Sequence, residues 1–336
     1  MTSVRGIWDR LHVEGNGSGG YVRLRHPNVH ACAVYIARSL ASGDEALLVE
    51  VHTAALPTNA RFPESAGMSI QAVPLTGGRS GVSRILLTLT DRRYRDVFQT
   101  LAEDVAEAMQ GATDEGAAVR LFIERVARWQ AFLREHGPGG LSEAARVGLY
   151  GELDLLRRLI PEIATPSTAV SAWTGCFRVP HDFQFAYGSV EVKTSRAATP
   201  HAFKVSNVEQ LSDAGVPALF VHFVLVNESA SGGESLPELV GTIQSLLDTE
   251  ALSTFEDRLT EWGYLDAHRE RYSTPRYTVR GTRWFRVTDG FPRLPPLDLP
   301  EGVEGVSYSV ALAACAPFEW KGEAAMNKVL RNDSGP

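Results

Sequence analysis

"FQFAYGSVEVKTSRA" (Phe183–Ala197) follows directly on Asp182 and reads as a strand, a turn and a second strand. Side chains alternate across a strand, so Glu191 and Lys193 share one face, while Val190, Val192 and Thr194 share the other. Two turn positions are open. With the turn centred on Ala186–Tyr187, Asp182 stands opposite Glu191, where cross-strand Cβ atoms lie about 4.5–5.5 Å apart. With the turn centred on Gly188–Ser189, Asp182 keeps its face but moves about 13 Å away. A catalytic role for these charges requires the first register or a distorted strand end.

The chemistry follows from the residue types. Two carboxylates that close repel unless a cation holds them together. Asp182, Glu191 and the backbone carbonyl of Val192 form a hard oxygen donor set suited to Mg2+, with Mn2+ as the alternative ion. Such an ion polarises a phosphodiester and lowers the pKa of a bound water. Lys193, on the same face, is placed to orient that water or to stabilise charge developing on phosphate. Glu152, on a preceding helix, can add a third carboxylate. The competing reading is that Glu-x-Lys marks an exposed strand face with a salt bridge, since short motifs recur by chance.

Working outward, "LSEAARVGLYGELDLLRRLI" (141–160) has Ser142 as an N-cap and an apolar stripe of Leu149, Leu153, Leu156 and Ile160. Gly148 and Gly151 inside this helix each cost about 1 kcal/mol against alanine, so a close neighbour is expected beside the backbone. "AVSAWTGCFRV" (169–179) reads as a strand preceding the hairpin. "SNVEQL" (206–211) reads as a helix opening, with Ser206 and Glu209 at capping-box spacing. "PALFVHFVLV" (217–226) reads as a central buried strand. Two helical segments follow, then a late strand or hairpin at 276–287, a Pro-rich loop and a frayed tail after Glu323.

Residues 1–91 are β-rich, with strand signals in "GYVRLRH", "ALLVEVHTAAL", "MSIQAVPL" and "SRILLTLT". Residues 92–139 are helical, with Val97, Leu101, Val105 and Met109 on one stripe and Phe122, Val126, Trp129 and Leu133 on the next. Gly137 stops the second helix. The expected organisation is therefore 1–91, 92–139, a core at 140–250 and an extension at 251–336.

The order helix–strand–strand–strand–helix–strand, with Asp182 and Glu191-Val192-Lys193 on it, resembles the PD-(D/E)XK nuclease superfamily. The resemblance implies an α/β, restriction-endonuclease-like core: a mixed central sheet flanked by helices in the order αβββαβ. The family's Pro before the Asp is displaced here to Pro180, with His181 between. More narrowly, "GLYGELDLL", "WTG…HDF", "VEVKTS" and "SNVEQL" resemble a bacterial family of PD-(D/E)XK motif proteins found in phage-defence and restriction gene clusters. By that resemblance Asp182 and Glu191 are metal ligands, Lys193 is the catalytic lysine, Glu152 is the helix acid and Gln210 assists the site. It also implies Mg2+-dependent cleavage of DNA. The partners it suggests are Z1-type or MutL/MORC-like ATPase subunits, or a second copy of the chain as a homodimer.

The 336-residue chain carries a net charge of −7, which argues against a nonspecific DNA-coating protein but leaves room for a local basic footprint. The segment 268–286 supplies one, with Arg276, Arg280, Arg283 and Arg286 interleaved with Tyr277 and Trp284. Arg178, Arg196 and Lys204 flank the hairpin and extend the track. Alternatively, these arginines protect a sheet edge. The three cysteines are far apart and form neither zinc spacing nor a disulfide framework. The first fifteen residues carry no apolar signal core, giving the expectation of a cytoplasmic protein. Two further readings stand beside the nuclease. One is a non-catalytic DNA-binding or assembly subunit of a defence complex, and the other is an RNA nuclease, for which no RNA-specific module is seen.

Overall fold

The computed structural model describes residues 7–8, 10–11, 20–57, 62, 66–75, 81–177 and 179–331. The chain divides into two units, residues 1–140 and 141–336. Among the described residues no helix is long and apolar enough to cross a membrane.

The first unit holds an antiparallel sheet of β1 (Tyr21–Arg25), β2 (Ala33–Ser39), β3 (Glu45–His52), β4 (Met68–Pro74) and β5 (Val82–Leu89), in the order β1-β2-β3-β5-β4. The sequence signals mark all of these except β2, "AVYIARS", whose alternation is broken by the buried pair Ile36–Ala37. Helices α1 (Arg95–Gln110) and α2 (Glu115–His136) follow, and both expected apolar stripes are buried. Gly137 ends α2 at φ 63°, a conformation that favours glycine.

The second unit contains the hairpin. Its sheet runs β10 (Glu234–Ser235), β11 (Arg276–Val287), β9 (Leu219–Ser229), β7 (Gly188–Ser195) and β6 (Phe183–Phe185), with β13 (Glu319–Trp320) also pairing β11. Only β7 and β9 are parallel, so this is a mixed sheet. The strand β11, from beyond residue 251, lies inside it. One face packs on α3 (Glu143–Leu159), α5 (Leu236–Ser245) and α6 (Thr249–Trp262), through Val190, Val192, Phe220 and Val224. The opposite face carries Leu219, Val221, Phe223 and Phe285. It is covered by a small sheet of β8 (Ala202–Val205) and β12 (Tyr308–Ala311).

Three expectations are corrected. The described residues of 169–179 form no strand: the Thr165 side chain accepts from Thr168 N, Pro166 opens the short helix α4 (Pro166–Ala172), and of the strand only the bridge of Trp173 to Phe183 is present. "SNVEQL" makes a four-residue 3-10 turn (Val208–Leu211), capped by Asn207 rather than Ser206. The tail after Glu323 continues as helix α7 (Gly322–Arg331), because Ala325 and Val329 are buried in the core.

The two glycines of α3 differ. A Cβ on Gly151 would lie 1.9 Å from the Thr194 hydroxyl of β7, whereas one on Gly148 would meet only the Trp262 ring at 3.8 Å. Gly151 is therefore the contact that seats α3 on the sheet. Gly148→Ala is expected to stabilise the protein by about 0.5–1 kcal/mol through helix propensity. Gly151→Ala is expected to destabilise it by roughly 1–3 kcal/mol, since overpacking outweighs that gain. Urea denaturation of both variants checks the opposite signs.

Candidate active site

The register of the hairpin fixes the site. Phe183 pairs with Val190, Gln184 with Ser189 and Phe185 with Gly188, so Ala186–Tyr187 is the two-residue turn. Continued by one pair, the same register sets Asp182 opposite Glu191. Here β6 has not yet begun, and the Asp182 side chain replaces the missing strand: its Oδ2 accepts the Val192 N–H at 2.7 Å. A residue's N–H and C=O point to the same side of a strand, so the Val192 carbonyl also faces this open edge. The Asp182 backbone is held in turn, its carbonyl accepting from Thr174 N at 2.7 Å and Gly175 N at 3.0 Å. His181, in the displaced motif position, is buried with Nε2 3.0 Å from the Ser212 carbonyl.

Glu191 is 1% exposed. Its Oε1 lies 2.7 Å from Lys193 Nζ, while Oε2 is buried with no hydrogen-bond partner among the described residues. Lys193 Nζ also donates to Gln210 Oε1 at 2.9 Å. The same oxygen accepts from Ser206 N at 2.9 Å, which orients the amide. Gln210 therefore reaches the site from the Val208–Leu211 turn, not from a helix. Thus Asp182, Glu191, Lys193 and Gln210 converge, and the exposed salt-bridge reading of Glu-x-Lys does not fit, since Glu191 is buried and the Lys193 side chain is only 12% exposed.

Glu152 comes from α3. Its Oε2 accepts indole N–H bonds from Trp173 at 2.8 Å and Trp262 at 2.9 Å. Gly175 makes this possible: a Cβ there would lie 2.2 Å from Glu152 Oε2 and 3.1 Å from Asp182 Oδ1. Sequence reasoning assigned no role to Trp173, Trp262 or Gly175. The only signal was "WTG" just before the hairpin, and nothing local marks Trp262 as its neighbour.

The electrostatics are those of a site short of positive charge. Burial, then the Asp182 charge, pushes Glu191 well above the carboxylate range, with Lys193 opposing. Burial, then Asp182, does the same to Glu152 against the two indole donors. Asp182 is pushed up to about 6 by burial, opposed by the Val192 N–H and by Lys193. Among the described residues no three His, Cys, Asp or Glu side chains converge as a metal cluster. The donor set that fits a cation is smaller: the orphaned Glu191 Oε2, the Asp182 carboxylate and the Val192 carbonyl. Burial pushes the Cys176 thiol up to about 12 and Cys315 to about 11, which argues against thiolate chemistry at either.

The basic residues are dispersed. Arg276, Arg280 and Arg283 lie on the sheet face that carries Glu191 and Lys193. Past the bulge between Val279 and Gly281, Arg286 lies on the opposite face, stacked 5.0 Å over the Trp320 ring. A single track on one face therefore includes three of the four. Arg283 forks onto Glu319 at 2.7 and 2.9 Å, Arg276 pairs with Glu238 at 2.6 Å, and Arg196 pairs with Glu228 and Glu143. Among the described residues Arg280 bonds only the carbonyls of Ala197 and Ala198, with no carboxylate to neutralise it. Lys204 is exposed on β8. Arg178 lies outside the described residues.

The model of a family described as "Putative PD-(D/E)XK family member" (DUF4420) matches residues 4–313, and the chain belongs to that family. No curated protein and no solved structure matches the chain significantly.

With its folded pKa raised, Asp182 destabilises the protein where it is ionised, above pH 6, and not below its unfolded value near 4. Asp182→Asn is therefore expected to raise the melting temperature of the metal-free protein at pH 8, by about 2–4 °C for roughly 1 kcal/mol. The gain should vanish towards pH 4. Thermal melts across that range check it.

Proposed function

We propose that the protein is a divalent-metal-dependent endonuclease that hydrolyses phosphodiester bonds in DNA. The observation that carries this reading is the buried Glu191 Oε2, without a partner, beside Asp182 and on the side chain whose other oxygen meets Lys193. Membership of a PD-(D/E)XK family makes a nuclease the parsimonious use of such a site.

In this reading Asp182, Glu191 and the Val192 carbonyl hold the ion, Mg2+ by donor type, with Glu152 as a further carboxylate beside it. When bound, the ion polarises the scissile phosphate and acidifies a water. The chain's own groups do the rest. A lysine ammonium has three N–H donors. Two of those on Lys193 meet Glu191 and Gln210, leaving one for the attacking water or a phosphate oxygen. Gln210, fixed by Ser206 N, keeps that ammonium aimed. Attack of water on phosphorus breaks the bond to the leaving sugar oxygen, and the charge gathering on phosphate is met by Lys193. Arg280 and Lys204, neither neutralised by a carboxylate among the described residues, are the first candidates for backbone phosphates; Arg276, Arg283 and Arg196 would exchange internal partners for DNA.

The same reading sets the protein in a bacterial restriction or antiphage system in the cytoplasm, with ATPase subunits of the Z1 or MutL/MORC-like type, or a second copy of itself, as partners. That setting rests on the sequence resemblance alone.

Incubated with plasmid and phage DNA and Mg2+ or Mn2+, alone and with neighbouring ATPases, the wild type is expected to cut. Lys193→Ala should lower the rate by about 10²–10³-fold, and Asp182→Ala and Glu191→Ala should abolish it with the fold retained. DNA binding without cutting under every condition would instead favour a DNA-binding assembly subunit. Arg280→Ala and Lys204→Ala should each reduce the salt dependence of DNA binding by about one phosphate contact; unchanged slopes would remove them from the footprint.

A further inference from the structure

Glu152 is held by groups that no sequence motif assigns. Trp173 follows the end of α4, and Trp262 is the last residue of α6. From these two helices both indole N–H groups reach one oxygen of one side chain on a third helix, at 2.8 and 2.9 Å. The other oxygen, Oε1, takes no hydrogen bond from the described residues. An indole N–H only donates, so each tryptophan demands an acceptor and cannot be served by a second donor. A Cβ on Gly175 would lie 2.2 Å from this saturated oxygen and 3.1 Å from Asp182 Oδ1, so the two carboxylates pass each other over that glycine.

Each ring is itself fixed. Trp173 is fully buried against Phe255, ring centres 5.9 Å apart, and its carbonyl accepts from the Arg258 guanidinium. Trp262 lies over Gly148, and the chain leaves it through Gly263 at φ 105°. Phenylalanine would fill either space without supplying the donor.

We propose that Trp173 and Trp262 are positioning residues, which clamp Glu152 through Oε2 and leave Oε1 as the oxygen free to meet a divalent cation or its water. This rests on the metal-centre reading given above. The clamp has two consequences. It fixes the Glu152 side chain before any ion arrives, and it supplies two N–H dipoles to that carboxylate, so that Glu152 and Asp182 can stand close in a dry site.

The test uses the full chain without DNA, so it is independent of cleavage. The six tryptophans give six indole N–H resonances, and Trp262→Phe and Trp173→Phe assign two of them. In the metal-free protein both are expected downfield and should move upfield on Glu152→Gln. Mg2+ affinity, followed by titration, should fall about tenfold in Trp262→Phe, the loss usual for an outer-shell partner. In a Glu152→Gln background the same change should cause no further loss, because the clamp then has no carboxylate to position. Indoles that ignore Glu152→Gln would overturn the clamp. Wild-type Mg2+ affinity in Trp262→Phe, or an equal loss with and without Glu152, would overturn the positioning role. A wild type that binds no Mg2+ while its indoles still respond would overturn the metal-centre reading, and the positioning role with it. If Trp173→Phe does not fold, Trp262→Phe, half-buried in the wild type, carries the test.

Discussion

The candidate site depends on one unfavourable juxtaposition: Asp182 and Glu191 brought together in a place too dry to hold both charges comfortably. Ion pairs and hydrogen bonds cover most of it. Lys193 meets one oxygen of Glu191, the Val192 N–H meets Asp182, and two indoles meet Glu152. One oxygen of Glu191 stays bare. Crowding carboxylates in a dry site costs free energy whether they are ionised or forced to hold a proton, so a fold that keeps this arrangement is less stable than it need be.

The backbone explains how the contact arises. A two-residue turn at Ala186–Tyr187 sets the register, and β6 begins only at Phe183. The late start frees the edge of β7 beside Val192, and Asp182 fills the gap with a side chain instead of a strand. Gly151 lets α3 settle on Thr194, and Gly175 lets the chain pass between Glu152 and Asp182. Two absent side chains thus do as much to assemble the site as the charged ones.

The alternation of the hairpin was enough to put Glu191 and Lys193 on one face, because period two is a property of any strand. It could not choose between the two turns; the structure did. Residues 169–179 misled because Ala169, Val170, Ala172 and Trp173 are apolar without a clear period, and the cap at Thr165–Pro166 outweighed their run. Gln210 was legible as a neighbour of the site but not its carrier, since a four-residue turn and a helix start share the same capping signals. Arg286 could not be placed from spacing, because the bulge after Val279 shifts the alternation. Trp262 lies 110 residues from Glu152, and no local pattern reports a contact of that range.

The chain is acidic overall, and three of its six candidate DNA-facing arginines are already ion-paired internally. The proposed function therefore rests on the carboxylate cluster more than on a basic surface. The most direct measurement is an anomalous difference map from crystals grown with Mn2+, for the wild type and for Glu191→Gln. A single strong peak touching the Asp182 and Glu191 carboxylates, lost in the variant, is the expected result. A wild-type map without a peak there at saturating Mn2+ would contradict the account, leaving the cluster a structural ion pair.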